Sequence, residues 1–578
     1  MIAFTPHLVI LTLGLLPSSL GNLVYLSPTT THPELGIPAP QLLLKRDGTP
    51  ASKFHNRRIR FTHGVASGDP YADSAIIWTR ALPKGVKDWA HKYTETDRTD
   101  PVCVRWEVST SEMEFSEGNI VSEGETSTSG RVDFTVKVEA TGLESYRYYW
   151  YRFTGCDRRK GKDISPVGRF KTLPKEDDEE VESAAIAVVS CSNYAEGLFK
   201  GYSNIAKRDA VDWIVHLGDY IYETHKPFRT LTRMPKPWKE VVTQQDYRRR
   251  YAQYRSDRDL QFAHQKMAFI NVWDDHEVAN NGWRDGSSSM IWQVLEGLTW
   301  QERRQGALRA FFEWMPVRQV EPVDEFRIWR SFKIGKLAEL VMLDTRYYDR
   351  DATDRPDLQL QDERSIMGKK QEKWLENTLL DAQNRNATWK LIGNQVQFSP
   401  FNETANGGNG NEPFYWDGWA GYLSNRKRLL DAIVDHGISN TVMLTGDYHA
   451  LWTADLTHPS VPYNASTGFG SIGVEFAGPG ITSWNGYGKE SEDREESDKV
   501  SAALLRDNPT MKWAEGHFRG YFEVTFGKEE LRTRYWSIAD VWDKGAGEFE
   551  SGVWVVREGE GRLGRPFGDV KAGVVGNG

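Results

Sequence analysis

Two hydrophobic patterns divide this chain. From about residue 183 onward, short runs are apolar at nearly every position, as in Ala184–Ser190, Val211–His216, Ile270–Trp273 and Thr441–Thr445. Strands buried on both faces read this way, so these runs predict a largely parallel sheet covered by helices. Helical spacing of Leu, Phe and Ile at Thr299–Trp314 and Arg426–Asp435 supplies candidates for the cover. Between residues 61 and 173 the runs instead alternate, as in Arg105-Trp106-Glu107-Val108 and Asp133-Phe134-Thr135-Val136. The pieces Ser74–Thr79, Val102–Ser109, Arg131–Val138, Tyr146–Thr154 and Val167–Lys171 follow at short, regular intervals. That spacing predicts a small β-sandwich of immunoglobulin or fibronectin kind. The expected class is therefore α/β with a β-sandwich in front.

Composition refines the layout. Residues 1–21 hold an apolar core (Leu8–Leu16) followed by Pro17-Ser18-Ser19-Leu20-Gly21, a signal-peptide pattern without the usual basic start; a buried N-terminal strand is the alternative. Residues 22–60 read as a leader arm, 61–173 as the sandwich, 174–182 as an acidic linker, 183–545 as the catalytic domain and 546–578 as a C-terminal tail. Asn406-Gly407-Gly408-Asn409-Gly410-Asn411 reads as a loop. No other apolar run has membrane-spanning length. The expectation is a secreted protein, free or held at the cell wall, and a monomer. Sequons at Asn386, Asn402 and Asn464 permit glycosylation. A net charge of −9 and a pI near 5.9 exclude the basic face of a protein that binds duplex nucleic acid and favour small substrates.

The strand ends carry the chemistry. Leu217-Gly218-Asp219-Tyr220-Ile221-Tyr222-Glu223 follows one apolar run, and ligands of open α/β sheets bind outside such carboxyl ends. Tyr222, on the first turn of an expected helix, would share a side with Asp219. A carboxylate and a phenol together suit a hard, highly charged cation that holds the phenol as phenolate. Alone, Gly-Asp-x-x-Tyr reads as readily as a turn with a packing tyrosine. Other ends tip the balance: Ser190-Cys191, Trp273-Asp274-Asp275-His276-Glu277, Leu343-Asp344-Thr345-Arg346 and Gly446-Asp447-Tyr448-His449. In an extended segment Asp447 and His449 would point to one side. Polar groups are costly to bury unpaired, so packing alone does not explain five such ends.

These segments, with His63-Gly64-Val65-Ala66-Ser67-Gly68-Asp69-Pro70, resemble the PhoD-type alkaline phosphatases of the calcineurin-like metallophosphoesterase superfamily. The resemblance runs from about His63 to Tyr535. It implies a four-layer metallophosphoesterase β-sandwich flanked by helices, and a hydrolase of phosphate mono- and diesters that uses a metal-activated water. It also implies iron(III) and calcium, with another divalent metal as the alternative. Asp219 would bridge the cations, and Cys191 and Tyr222 would complete the iron site with Asp447 or His449. Asp275, Asn280, Asp447 and His449 form the calcium group. Arg346 would clamp the phosphate and His276 would assist the leaving group.

Two rivals remain at this level. A purple acid phosphatase shares Gly-Asp-x-x-Tyr, but Cys191, Asp275-His276 and Asp447-Tyr448-His449 depart from its pattern. A non-catalytic surface-binding protein would show lost site residues, and none is evident. Cys103 begins one sandwich strand and Cys156 ends another, so they are either bridged or two buried thiols. His216 reads as a core residue, and His63 as a structural hydrogen-bonding one.

Overall fold

The computed structural model of the chain describes residues 58–87, 101–156, 163–225, 233–318, 327–404, 413–484, 487 and 493–576. The expected leader, most of the arm and the loop at Asn406–Asn411 lie outside the described residues. Two large mixed sheets form the centre. The nine-stranded sheet runs Glu548–Arg557, Glu530–Ile538, Arg519–Gly527, Ser183–Val189, Trp213–His216, Ala268–Asn271, Val65–Gly68, Ser74–Arg80, Thr135–Thr141. Its inner strands, from Ser183–Val189 to Val65–Gly68, are parallel. The eight-stranded sheet is likewise parallel across Ala338–Met342, Trp389–Asn394, Thr441–Thr445 and Ser471–Ala477.

Side-chain alternation builds four layers from these sheets. Leu340, Leu391 and Leu444 share one buried core with Ile186, Val188 and Val215 of the other sheet. Their neighbours Val341, Ile392 and Met443 face the opposite way, against Leu375 and Leu379 of the helix Gly368–Asn384 and Leu429 and Ile433 of Leu423–Asp435. Tyr202 and Ile205 of Lys200–Arg208 and Phe311 of Trp300–Trp314 pack into the core of the nine-stranded sheet. The last helix starts where its sequence directs. Thr299 accepts from Glu302 N, and the Glu302 carboxylate returns to Thr299 N at 2.8 Å.

The N-terminal β region is built into this frame. Its four-stranded antiparallel sheet, Ile120–Thr128, Val102–Ser109, Tyr148–Gly155 and Gly168–Lys171, stands apart. Val65–Gly68, Ser74–Arg80 and Thr135–Thr141 instead continue the nine-stranded sheet, with Ser67 opposite Ala268. Burial explains this: every residue of Val65–Gly68 and Ser74–Arg80 is covered. The strand expected over Arg131–Val138 begins only at Thr135, because Gly130–Val132 forms a 3-10 turn and Asp133 and Phe134 take left-handed conformations. Cys103 and Cys156 are bridged across neighbouring strands, Cα atoms 5.6 Å apart. The acidic linker lies on the surface, where Glu176 meets Lys333 at 2.5 Å. One expectation is corrected. Residues 546–578 are no tail, because Glu548–Arg557 pairs along Glu530–Ile538 as the outer strand, with alternating burial in its second half. Among the described residues no helix is long and apolar enough to cross a membrane.

Candidate active site

The carboxyl ends of parallel strands from both sheets meet along one rim. Cys191 N donates to Gly218 O at 3.2 Å, and Ser192 N to Asp219 O at 2.8 Å. Ile481 N donates to Ser190 O at 3.0 Å, and Gly446 N to Gln395 O at 3.0 Å. The turns so joined are unusual: Cys191 and Asp219 have φ of 56°, Asp447 64° and His449 63°. Non-glycine residues rarely adopt this left-handed region, and such strain concentrates at functional sites. Gly218, at φ 105°, is required, because a side chain there would collide with the Asp274 backbone.

Two local expectations are thereby corrected. Asp447 and His449 are not on an extended segment, since both have left-handed backbones. Tyr222 is not on a helix but in an irregular loop, although its Oη still donates to Asp219 Oδ2 at 2.8 Å.

Three overlapping groups put their ligand-type atoms within 4.8 Å of one another: Cys191, Asp219 and His449; Asp219, Asp275 and His276; Asp274, Asp275 and Asp447. Asp219 and Asp275 each belong to two of these groups. Asp274 was visible in the sequence beside Asp275, but only the fold shows that both enter the site. Tyr222 joins through Asp219 and through His449 Nε2 at 3.1 Å. Asn280 sits at the rim, its N–H on Glu223 Oε1 at 2.9 Å and its Nδ2 on Ser288 Oγ at 3.0 Å.

Supporting residues fix these groups. Glu277 accepts from Asp219 N at 3.0 Å, Tyr220 N at 2.5 Å and Asp274 N at 2.7 Å, stitching two strand-end loops together. Glu223 holds His276 Nδ1 at 2.6 Å. Ser483 Oγ lies 2.6 Å from Tyr222 Oη and donates to Cys191 O at 2.8 Å. Glu223 and Glu277 end the motifs that flagged the site, whereas Ser483 and Asp417 had no such signal. His216 is a core residue, with Nε2 on Tyr202 Oη at 2.8 Å and Nδ1 accepting from Gly218 N at 3.2 Å. His63 bonds Ala252 O at 3.1 Å.

Arg346 is the main correction. Its guanidinium is fully buried and meets Asp274, Asp417 and Asp447, the last at 2.7 Å. Arg350 braces Asp417 at 2.9 Å. A group so enclosed positions carboxylates; it is not placed to clamp a phosphate.

The electrostatics fit a metal centre. Burial, then neighbouring carboxylates, raises Asp219 well above the usual carboxylate range. Burial likewise raises Asp274 well above that range, and Asp447 to about 6, against the opposing charge of Arg346. Burial and then Asp219 push up both the Cys191 thiol and the Tyr222 phenol. Asp274 Oδ2 and Asp447 Oδ2 are buried without a hydrogen-bond partner. Multivalent cations invert this arrangement, favouring thiolate, phenolate and carboxylate together. His449 is suitably turned: Nδ1 lies 2.5 Å from Trp484 O, which leaves Nε2 toward the cluster. That is the usual support of a metal-bound imidazole.

Comparison with known proteins agrees. The profile described as PhoD-like phosphatase matches residues 186–535, and that of the PhoD-like phosphatase N-terminal domain matches 48–174. Alkaline phosphatase D of Bacillus subtilis (strain 168) is 34% identical over 498 residues, covering 84% of this chain and 79% of the relative. A solved structure of PhoD matches at 31% identity and TM-score 0.75, over 91% of this chain and 95% of that one. A purple acid phosphatase from yellow lupin (Lupinus luteus) seeds shares the fold, at 11% identity and TM-score 0.51 over 84% of this chain and 73% of that one. The chain belongs to the PhoD-like phosphatase family.

Proposed function

We propose that this protein is a secreted, metal-dependent hydrolase of phosphate mono- and diesters. One observation carries the reading: a thiol, a phenol, two imidazoles and four carboxylates converge on one rim without enough protein cations to balance them. We assign iron(III) to Cys191, Asp219, Tyr222 and His449, the donor set with the soft thiol and the phenol. Calcium, or another hard divalent cation, suits the oxygen donors Asp219, Asp274, Asp275 and Asp447, with Asn280 at the rim. When bound, the cations polarise the phosphate and lower the pKa of the attacking water.

The rest falls to the chain itself. Glu223 holds His276 by Nδ1, leaving Nε2 free to give a proton to the leaving oxygen. His276 stands against the Tyr222 ring at 4.1 Å, and its side chain is 13% exposed, at the open edge of the site. Arg346 keeps Asp274 and Asp447 in register. The Cys103–Cys156 bridge supports an oxidising compartment, and with it cleavage of the leader near Gly21.

Phenolate or thiolate on ferric iron gives a visible charge-transfer band, which calcium, magnesium and zinc do not give. Tyr222→Phe and Cys191→Ser should bleach or shift that band and lower turnover of an aryl phosphodiester by at least roughly a hundredfold. An active, colourless, iron-free protein would refute the iron assignment; full turnover in both variants would refute the site.

A further inference from the structure

Buried arginines recur throughout the described residues, and with one exception they reach acceptors. Arg80 meets Asp133, Arg303 meets Glu240 and Arg330 meets Asp69. Arg250, without a carboxylate, donates to the carbonyls of Tyr222, Thr224 and Lys236. Arg255 is the exception. It follows the helix Gln244–Tyr254 and is 0% exposed, yet none of its three guanidinium nitrogens makes a well-formed hydrogen bond. It lies over the Trp78 ring at 4.2 Å, a contact that satisfies charge in part but no N–H.

The surroundings are polar and closed. The groups that act on Arg255 are the phenol of Tyr220, close enough for a loose hydrogen-bonding contact, and that of Tyr151, with no carboxylate among them. Tyr220 Oη is committed to His264 Nε2 at 2.8 Å. Tyr151 Oη and Ser67 Oγ, which lie in loose contact with each other, and His264 Nδ1 are buried without a well-formed hydrogen bond. Burial, and next the Arg255 charge, hold His264 well below the ordinary imidazole range, so no second charge sits there. Ser67, Trp78, Tyr151 and His264 are all 0% exposed and come from three strands and a helix. A lone buried cation is costly unless paired, and orphaned buried donors are costly as well. Both costs fall together if something negative accepts these protons.

We propose that the cage around Arg255 binds a small monovalent anion of halide type, with Tyr151 and Ser67 as additional donors. One positive charge and a sealed wall suit a halide better than a phosphate, which carries more charge and bulk. Buried water could satisfy the donors but would leave the charge unbalanced. Tyr220 links the cage to Asp219, so the anion would steady the loop that carries the bridging carboxylate. The inference is independent of the hydrolase reading.

Thermal unfolding of the full metal-loaded protein in sodium chloride, bromide or gluconate at equal ionic strength tests this. The halides should raise the Tm by about 2–4 °C with a saturating dose dependence, and gluconate should not. Arg255→Met should abolish the halide effect, and Ser67→Ala should raise the half-saturating concentration several-fold. Crystals soaked in bromide should show anomalous scattering beside Arg255. Equal shifts in all three salts, or only water beside Arg255 after the soak, would overturn the proposal. If Arg255→Met does not fold, Ser67→Ala and the bromide data decide.

Discussion

Gly68-Asp69 and Gly218-Asp219 end two strands of one sheet, yet they do opposite things. Both aspartates take left-handed backbones, φ 41° and 56°, and both are buried, at 0% and 1% exposure. Asp69 is closed. It accepts from Arg318 N at 2.7 Å and from Arg330 Nε and Nη2 at 2.9 and 2.5 Å, and its carbonyl takes Arg318 Nε at 3.0 Å. Asp219 is open. It accepts from Tyr222 Oη at 2.8 Å and His276 N at 3.3 Å, but Asp275, Glu277 and Asp447 crowd it. What separates these two strand-end aspartates is closure: arginines occupy both carboxylate oxygens of Asp69, and none reaches Asp219. The arginines that close Asp69 lie 249 and 261 residues away in the chain.

Exchanging the roles should break the comparison most visibly at Asp219. Asp219→Asn should fold, lose bound metal and lose at least roughly a thousandfold in turnover. Its chelated form should stay close in stability to chelated wild type, since the amide keeps the size of the side chain and can still accept from Tyr222 Oη or His276 N. Metal analysis, diester kinetics and calorimetry check this, and a variant with normal turnover would sink the proposed site. At Asp69 the damage should go to stability instead. Asp69→Asn should cost about 3–5 kcal/mol, the penalty for leaving Arg330 buried and unpaired. The folded fraction should keep its metal. Denaturant unfolding beside metal content separates the two outcomes.

Arg346→Met tests whether an arginine within the open site resembles those at Asp69. Turnover or metal affinity should fall roughly 10–100-fold, as for groups that orient ligands, with KM for the diester nearly unchanged. A large rise in KM alone would restore the phosphate clamp. The smallest expected effect is on pH dependence. Burial raises the Asp447 carboxyl to about 6 in the metal-free protein, above its unfolded value, so the folded state binds more protons between the two. Stability of the chelated protein should then fall as pH rises from about 4 through about 6. Bound metal should remove that fall. Melting curves across this range, with and without chelator, read the difference.

Much of this architecture was legible one strand at a time. Unbroken apolar runs announce the parallel strands, and the spacing of Leu, Phe and Ile announces the helix at Thr299–Trp314. The C-terminal strand was missed because Glu548–Arg557 begins with charged residues at an edge, where water faces part of the strand. The range 61–173 reads as one sandwich because a strand does not state which sheet it joins; for Val65–Gly68 that depends on Ala268–Asn271, some two hundred residues on. Asp417 stayed hidden because it ends no apolar run and acts only through Arg346 and Arg350.

By itself the sequence determined which side chains stand at strand ends, because alternation and burial are local consequences of residue order. Cys191, Asp219, Asp275 and Asp447 were visible on those terms alone. Only the tertiary structure decided their electrostatic partners. It drew Arg330 to Asp69, enclosed Arg346 among three carboxylates and left Asp219 without an arginine, beside His276 and the carboxylates of Asp275, Glu277 and Asp447. Charge pairing acts through space across hundreds of residues, and no local pattern records which distant cation will arrive.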